Sequence, residues 1–381
     1  RVRAHRQAMT NQCWWVLGAN QILLRMPDGV EASAVVPSKV GYVGLWQWDA
    51  YFIALGLRHG APELAAEQLN IAFTPTPSGQ LPDVVHEGGI LSSSADLPPS
   101  DVETLRKKSG TDTDEVVPLT KPPLGAWAAL GVAEALDESL KERYMPRWKE
   151  VIRQNQGWWL RRGQEEPPRY EHPYSSGLDD SPVFDAGGAV VSPDLLAYLV
   201  EQQTILDRWD GVAASAETRF LRETLEDLWD ADAETYLPCH LDGESINSRT
   251  VLSLLALFAG DIPQEHLGPL VEDIGTESRF GAKHPLPTVA MDDPGFSADE
   301  MWRGPTWVNT TYLVAEGLER NGLPNEANSL RLRLMDGLEA SGGPVEYFNS
   351  TTGARSPAAT VSFGWSAALY VDLAVREAGT A

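Results

Sequence analysis

Apolar residues recur at intervals of three and four positions through most of the 381-residue chain. This spacing places them on one face of an α-helix, and few stretches alternate between apolar and polar residues as a strand does. Clear examples are Ala65, Leu69 and Ala72 after Pro62, and the series Ala327, Leu330, Leu334 and Leu338. The pattern predicts about ten to twelve helices and therefore an all-α fold.

Strand signals are confined to two short segments. Tyr236 to Leu241 is one, and Glu346 to Ala354 reads as a hairpin with Thr352 and Gly353 at its turn. We therefore expect short β-hairpins at most.

The connections between the predicted helices are unequal in length. The one near Asn321 to Pro324 is short, whereas five long ones are rich in Trp, Gly, Pro, Asp and Arg: 37–49, 74–120, 166–192, 280–306 and 341–366. In a ring of helix hairpins, loops at one end stay short while loops at the other end carry a site. The sequence thus predicts a single toroidal domain over residues 1–381, with the long loops on one rim and the polar segment 88–118 as a lid or an insertion.

The charge of the chain excludes several classes of partner. Asp and Glu number 54 against 30 Lys and Arg, a formal net charge of −24 at pH 7. Such a surface repels nucleic-acid phosphates and anionic lipid headgroups. The longest apolar stretch, residues 251–260, is about half the roughly 20 residues that a membrane span needs. We expect neither nucleic acid nor a membrane as a partner and a cytoplasmic location, while the oligomeric state stays open.

Motifs for nucleotides and metals are absent from the sequence. There is no GxxxxGK[ST], no GxGxxG after a strand and no HExxH. The two cysteines, Cys13 and Cys239, lie far apart and suggest neither a disulfide framework nor a zinc site. The acidic segment 110–115 lacks the Gly and Glu that complete a calcium loop. We therefore expect no metal.

Several acidic residues lie instead in loops rich in aromatic residues and glycine. Asp49 follows Trp46 and Trp48 where a loop enters a helix. It could cap the helix or accept hydrogen bonds from sugar hydroxyls beside the two indole rings. Asp179 and Asp180 could initiate a turn, or one of them could keep its proton at neutral pH as a general acid must. Asp179 is our candidate acid.

Two further loop residues could act on a ligand. Glu346 follows a Gly-Gly-Pro bend whose small residues let the backbone run close to a ligand, although a lone glutamate on a strand is usually solvated. Arg303, between Trp302 and a Gly-Pro bend, could bind a carboxylate or sugar hydroxyls. Its simpler role would be an ion pair with Asp299 or Glu300.

Together these motifs resemble glycoside hydrolase family 63, nearest to the short bacterial mannosylglycerate and glucosylglycerate hydrolases and more distantly the family 37 trehalases. The matching segments follow the family's order over residues 41–366: Trp46 to Asp49, Leu81 to Asp83, Lys121 to Leu124 with Trp127, Ser176 to Asp179 with Ser181 and Pro182, Trp302 to Pro305, Glu346 and Tyr347 with Asn349 and Gly353, and Phe363 to Ser366. The resemblance implies an (α/α)6 barrel.

The resemblance also implies an inverting glycoside hydrolase that needs no metal or organic cofactor. Asp179 takes the position of the general acid and Glu346 that of the general base, which requires the two carboxyls to face each other across roughly 6.5–9.5 Å. If Asp179 and Asp180 lie close together they titrate as a coupled pair, so either could hold the proton. The implied substrate-binding residues are Tyr42, Trp46, Trp48, Asp49, Trp302, Arg303 and Trp365.

The implied substrate is a small carbohydrate, namely an α-glucoside or α-mannoside such as glucosylglycerate or mannosylglycerate. An anionic glycerate group in so acidic a chain requires a local cation, such as Arg303 or Lys121. The alternatives are an α-glucosidase or trehalase acting on neutral disaccharides, a phosphorylase, and a sugar-binding protein of the same fold. The presence of both Asp179 and Glu346 argues against the last of these.

Overall fold

A computed structural model describes residues 2–26, 29–89 and 119–379. Most of the predicted lid or insertion, 88–118, lies outside the described residues. Helices dominate the described part, as predicted, and thirteen α-helices occur there: α1 Gln7–Ala19, α2 Gln47–Leu57, α3 Pro62–Ala72, α4 Gly125–Ala133, α5 Glu138–Trp159, α6 Pro173–Ser176, α7 Pro193–Asp210, α8 Ala216–Glu226, α9 Val251–Leu255, α10 Gln264–Gly275, α11 Val308–Arg320, α12 Pro324–Ala340 and α13 Gly364–Gly379. No described helix is long and apolar enough to cross a bilayer.

The described strands are short and form four antiparallel pairs: β1 Gln21–Arg25 with β2 Glu31–Val35, β3 Leu45–Trp46 with β4 Val84–Val85, β5 Trp229–Asp230 with β6 Thr235–Tyr236, and β7 Thr306–Trp307 with β8 Tyr347–Phe348. The expectation that β-structure is limited to short strands is confirmed, although β3–β4 and β7–β8 join segments far apart in the chain and are not hairpins.

Individual strand predictions were less accurate. The predicted strand Tyr236 to Leu241 is present only in part. Tyr236 lies in β6 and Cys239 forms isolated antiparallel bridges with Val191 and Ser245, whereas Pro238 between them has no N–H to donate to a ladder. The predicted hairpin turn near Thr352 is confirmed, since the N–H of Asn349 donates to Ala354 and that of Gly353 to Asn349. The β1–β2 pair was missed, although the Pro-Asp-Gly sequence at 27–29 is a turn signal.

Helices with two patterns of burial alternate along the chain. Every residue of α2 and of α9 is buried, and so is all of α11 before its last two residues. By contrast α8 buries only Thr218, Leu221 and Leu225. A helix that is apolar all round must be enclosed by others, whereas a helix with one apolar stripe faces solvent on its other side. The alternation is therefore that of helix hairpins in which one helix of each pair is enclosed.

The chain divides into two compact units. Unit 1 comprises Arg1–Gly163, Tyr174–Gly177 and Ser362–Ala381, and unit 2 comprises Gln164–Pro173 and Leu178–Val361. In unit 1, α13 packs against both α1 and α2, and α2 also packs against α3. In unit 2, α7 packs against α8 and α9, while α11 packs against α12. Each unit thus has its own helical core.

One buried carboxyl in the core of unit 2 makes stability depend on pH. Asp194, in the first turn of α7, accepts hydrogen bonds from the hydroxyls of Ser192 and Tyr170. Burial raises the pKa of Asp194 to about 6, and these hydrogen bonds oppose the rise only in part. The folded state therefore binds this proton more tightly than the unfolded state does. The free energy of unfolding should fall by about 3 kcal/mol as the pH rises from about 4 to above 6.

The substitution Asp194→Asn should remove this contribution, because the amide carries no charge and can still accept a hydrogen bond. We expect the difference in free energy of unfolding, variant minus wild type, to be more positive at pH 7.5 than at pH 4.5. Urea unfolding at both pH values measures this difference. Asp232→Asn, which changes an exposed carboxylate, is the matched control. An identical pH dependence in the wild type and Asp194→Asn would contradict the assignment.

Candidate active site

Asp179 and Asp180 lie at the centre of a tight turn that follows α6. The N–H of Ser181 donates to the carbonyl of Leu178 at 3.1 Å and closes the turn. The interpretation of this pair as turn residues is confirmed, and it does not exclude a chemical role. Both side chains are partly buried, and Oδ1 of Asp179 is shielded from solvent.

Asp180 ties this turn to a distant loop of unit 2. Its Oδ1 accepts a hydrogen bond of 2.8 Å from the backbone N–H of Trp302. Burial raises the pKa of Asp180, while the hydrogen bond from Trp302 and the charge of Arg303 lower it less. The Asp180 carboxyl therefore links the turn to the Trp302 loop.

Three stacked rings continue from that loop. The Trp302 indole lies on that of Trp307 with centroids 3.5 Å apart, and Trp307 lies on the ring of Tyr347 at 4.6 Å. Trp307 and Tyr347 are also opposite each other in the β7–β8 pair. We call these three residues the aromatic ladder. Through it, the turn that carries Asp179 is connected to the strand that directly follows Glu346.

Glu346 is buried and hydrogen-bonds to Thr360. Its backbone N–H donates to the carbonyl of Thr360 at 2.8 Å, and its Oε2 accepts from the N–H of Thr360 at 3.0 Å. With only 4 % of its surface exposed, it is not the solvated glutamate that a lone acidic residue on a strand usually is. That alternative is wrong.

Three carboxylates lie close enough to Tyr347 to affect its pKa. Its pKa is raised to about 12, chiefly by burial and further by the negative charges of Glu346, Asp180 and Asp299. Because such interactions act over short distances in a protein, the ladder brings the turn with Asp180 and the strand with Glu346 into one electrostatic environment.

Arg303 is paired, but not with either expected partner. Its guanidinium forms an ion pair with Asp185, so the predicted simple pair with Asp299 or Glu300 is wrong. The hydrogen bond that it donates to Asp185 raises the pKa of Arg303, which stays cationic. Asp299 instead accepts hydrogen bonds of 3.1 Å from Asn349 and from Ser356. No local pattern in the sequence signals the contacts of Asp185 and Asp299, so neither was predicted.

Unit 1 brings together the remaining predicted binding residues. Tyr42 packs edge-on against Trp46 at 5.5 Å and against Phe363 at 5.7 Å. Phe363 contacts Trp365 at 4.9 Å, and Trp365 contacts Trp48 at 5.5 Å. Trp48 and Trp365 are buried, whereas Tyr42 and Trp46 are partly exposed. We call these five residues the aromatic cluster, and Tyr42 and Trp46 are its partly exposed predicted binding residues.

Asp49 lies beside this cluster in sequence but does not cap its helix. The residue at the N-cap of α2 is Trp46, and Asp49 is the third helical residue. The helix begins early because Trp46 pairs with Val84 and the N–H of Gln47 donates to the carbonyl of Asp83. The capping interpretation is therefore wrong. Asp49 is buried in the first turn, where the helix dipole favours a carboxylate.

Gly177 lets the chain pass close to Trp48. It has a left-handed backbone with φ +76°, and a Cβ atom there would lie 2.7 Å from Cε2 of Trp48 and nearer still to two other ring atoms. Only glycine avoids both the strain and the overlap. Two residues later the chain reaches Asp179, so this glycine determines the path of the chain just before the turn that carries Asp179.

We expect Gly177→Ala to lower the free energy of unfolding by about 2–4 kcal/mol, since backbone strain and overlap with Trp48 add together. Gly187→Ala is a matched control, because Gly187 also has positive φ but has open space around its Cα. The control should lose only about 1 kcal/mol, the cost of strain. Urea unfolding measures both variants, and equal losses would disprove the overlap with Trp48.

Lys121 was the other candidate for a local cation. Lys121 is buried in unit 1, and its Nζ donates to the carbonyl of Tyr174 at 2.5 Å. Within the described ranges, no three His, Cys, Asp or Glu side chains are grouped as a metal site would require.

The chain matches the family model of the mannosylglycerate hydrolase MGH1-like glycoside hydrolase domain over residues 42–366. It is 26 % identical to the mannosylglycerate hydrolase of Rubrobacter radiotolerans, covering 88 % of this chain and 91 % of that protein. It is also 26 % identical to that of Thermus thermophilus, covering 92 % and 98 %. Identity to the glucosylglycerate hydrolase of Mycolicibacterium hassiacum is 23 %, covering 87 % and 92 %.

Solved structures agree in fold. The family 63 mannosylglycerate hydrolase of Thermus thermophilus in complex with Tris and D-glycerate superposes with a TM-score of 0.77 at 24 % identity, over 96 % of this chain and 99 % of that chain. Neutral trehalase Nth1 of Saccharomyces cerevisiae gives 0.68 at 16 %, over 96 % and 79 %. The predicted all-α class, the (α/α)6 barrel, is confirmed.

Proposed function

Because the chain belongs to the mannosylglycerate hydrolase MGH1-like family of glycoside hydrolases, within glycoside hydrolase family 63, we propose that it hydrolyses a small α-glucoside or α-mannoside of glycerate. Relatives that cover most of the chain are named mannosylglycerate hydrolase and glucosylglycerate hydrolase, which supports this substrate class. The trehalase shares only 16 % identity, so it supports the fold and not a disaccharide substrate.

Glu346 and Asp179 are the proposed catalytic pair of an inverting reaction. Ionised Glu346 takes a proton from a water molecule as that water attacks the anomeric carbon, and protonated Asp179 gives its proton to the departing glycosidic oxygen. One water is consumed, and no covalent intermediate forms. The released sugar therefore has the opposite anomeric configuration to the substrate.

The observation that carries this assignment is the connection from Asp180 to Trp302 and along the aromatic ladder to Glu346. Residues that must act together need a rigid support, and hydrogen bonds and stacked rings supply one. Asp179 is preferred to Asp180 as the proton donor because Asp179 takes the position of the family's general acid, whereas the carboxyl of Asp180 accepts the N–H of Trp302 and fixes the turn.

The sugar-binding residues are proposed from the same family pattern. They are Tyr42, Trp46, Trp48, Asp49, Trp302, Arg303 and Trp365. Indole faces pack on the apolar faces of sugar rings, and carboxylates accept hydrogen bonds from hydroxyls. Trp302 itself is buried, and Trp307 covers one of its faces.

An assay with defined glycosides tests the proposal. The purified protein is incubated without phosphate with glucosylglycerate, mannosylglycerate, trehalose, kojibiose and nigerose, and sugar release is measured. We expect release from one of the two glycerate glycosides, with the β-anomer appearing first in the proton NMR spectrum. Release from trehalose, kojibiose or nigerose alone would favour the neutral-disaccharide alternative. A requirement for phosphate would indicate a phosphorylase, and an α-anomer as first product would contradict inversion.

A further inference from the structure

A cavity of about 630 Å³ lies within unit 2 and shares no residue with the proposed catalytic pair or the aromatic ladder. Residues from three segments line it, 165–169, 224–230 and 237–245, together with Val191. Its volume falls in the range of about 300–1,000 Å³ that is usual for small-ligand pockets. The size alone permits a monosaccharide or a disaccharide.

One wall of this cavity is a fixed indole ring. Trp229 stacks on His266 with centroids 3.8 Å apart and planes 9° apart, and Tyr236 packs edge-on against it at 5.1 Å. His266 Nδ1 lies 3.1 Å from both the Tyr236 hydroxyl and a carboxylate oxygen of Glu226. The supporting residues do not line the cavity, whereas Trp229 does. The indole is thus held in one orientation before any ligand arrives, which lowers the entropy cost of binding.

Polar groups around the indole are available to a ligand. In the part of the chain that the structure describes, the side chains of Glu165, Asp227 and His240 neither hydrogen-bond nor ion-pair with the protein. Arg169, by contrast, is ion-paired with Glu166 and Glu171. The cavity therefore offers hydrogen-bond acceptors, and His240 as a further donor or acceptor, next to a flat apolar surface.

The charge of the lining limits what the cavity can accept. Glu165, Glu166, Asp227 and Asp230 oppose the single cation Arg169, so the lining is net negative. An anion such as glycerate is repelled. A neutral sugar ring matches the remaining chemistry, because its apolar face packs on an indole and its hydroxyls donate to carboxylates. We propose that this cavity is a second, non-catalytic binding site for a neutral saccharide.

The proposal is tested by measuring ligand binding at the Trp229 side chain itself. Protein labelled with 5-fluorotryptophan is titrated with glucose and with mannose, and the Trp229 signal is assigned in the fluorine NMR spectrum by its loss in Trp229→Phe. We expect a saturable shift of this signal in the wild type and also in Glu346→Gln. Asp227→Asn should raise the dissociation constant by about tenfold, since a charge-assisted hydrogen bond is lost. Asp232→Asn, an exposed carboxylate outside the lining, should leave it unchanged.

Three outcomes would overturn the proposal: an unmoved Trp229 signal with both sugars, equal effects of Asp227→Asn and Asp232→Asn, or a shift produced by spermidine and by neither sugar. The hydrolysis rate in Trp229→Phe should equal that of the wild type. Absence of hydrolysis in the wild type would refute the proposed function while the fluorine signal still reported on this cavity, so the two failures are distinguishable.

Discussion

Replacing Glu346 by glutamine is expected to lower kcat for glycoside hydrolysis by about 10²–10⁴-fold, the range that a general base contributes. The amide has nearly the same shape and can still accept the hydrogen bond from Thr360, so the backbone around residue 346 should stay in place. It cannot take a proton from the attacking water. KM should therefore change much less than kcat. Steady-state kinetics with the preferred glycerate glycoside measure both constants.

Glu300→Gln is the matched control for this experiment. Glu300 is an exposed carboxylate in the same region, and its charge acts on both Asp180 and Arg303. We expect it to retain kcat within about twofold, because it touches no reacting atom. Full activity in Glu346→Gln, or an equal loss in both variants, would remove the base assignment.

Replacing Asp179 by asparagine should give a loss of similar size, about 10²–10⁴-fold, that depends on the leaving group. An alkoxide such as that of glycerate needs a proton as it departs, whereas a nitrophenolate leaves without one. The variant should therefore be far slower on the glycerate glycoside and much less impaired on the corresponding 4-nitrophenyl glycoside. Comparing kcat for the two substrates measures this difference.

The substitution Asp180→Asn distinguishes the role of Asp180 from that of Asp179. The asparagine side chain can still accept the N–H of Trp302, so the turn should stay attached to its loop. If Asp179 is the acid, the ratio of kcat on the glycerate glycoside to kcat on the 4-nitrophenyl glycoside should be similar in Asp180→Asn and in the wild type. A leaving-group-dependent loss in Asp180→Asn, with none in Asp179→Asn, would transfer the role of the acid to Asp180.

Much of the helical architecture was predictable from local pattern. The predicted start at Pro62 coincides with the first residue of α3, and Ala327, Leu330, Leu334 and Leu338 are all buried in α12. Periodicity predicts such elements because the burial of one face repeats every 3.6 residues. The start of α2 was misjudged, since a contact with Asp83 determines it and Asp83 lies 36 residues after Gln47 in the chain.

By itself, the sequence determined the all-α class, the order of the loops rich in aromatic residues and the membership of the family. Helical periodicity is a property of neighbouring residues, and the order of motifs is read directly along the chain. Only the tertiary structure decided that Glu346 is buried, that Arg303 pairs with Asp185 and that Asp180 binds the backbone of Trp302. Arg303 lies 118 residues after Asp185 in the chain, and Trp302 lies 122 residues after Asp180. No local pattern encodes such pairings, since they arise only when the packing of helices brings distant loops together.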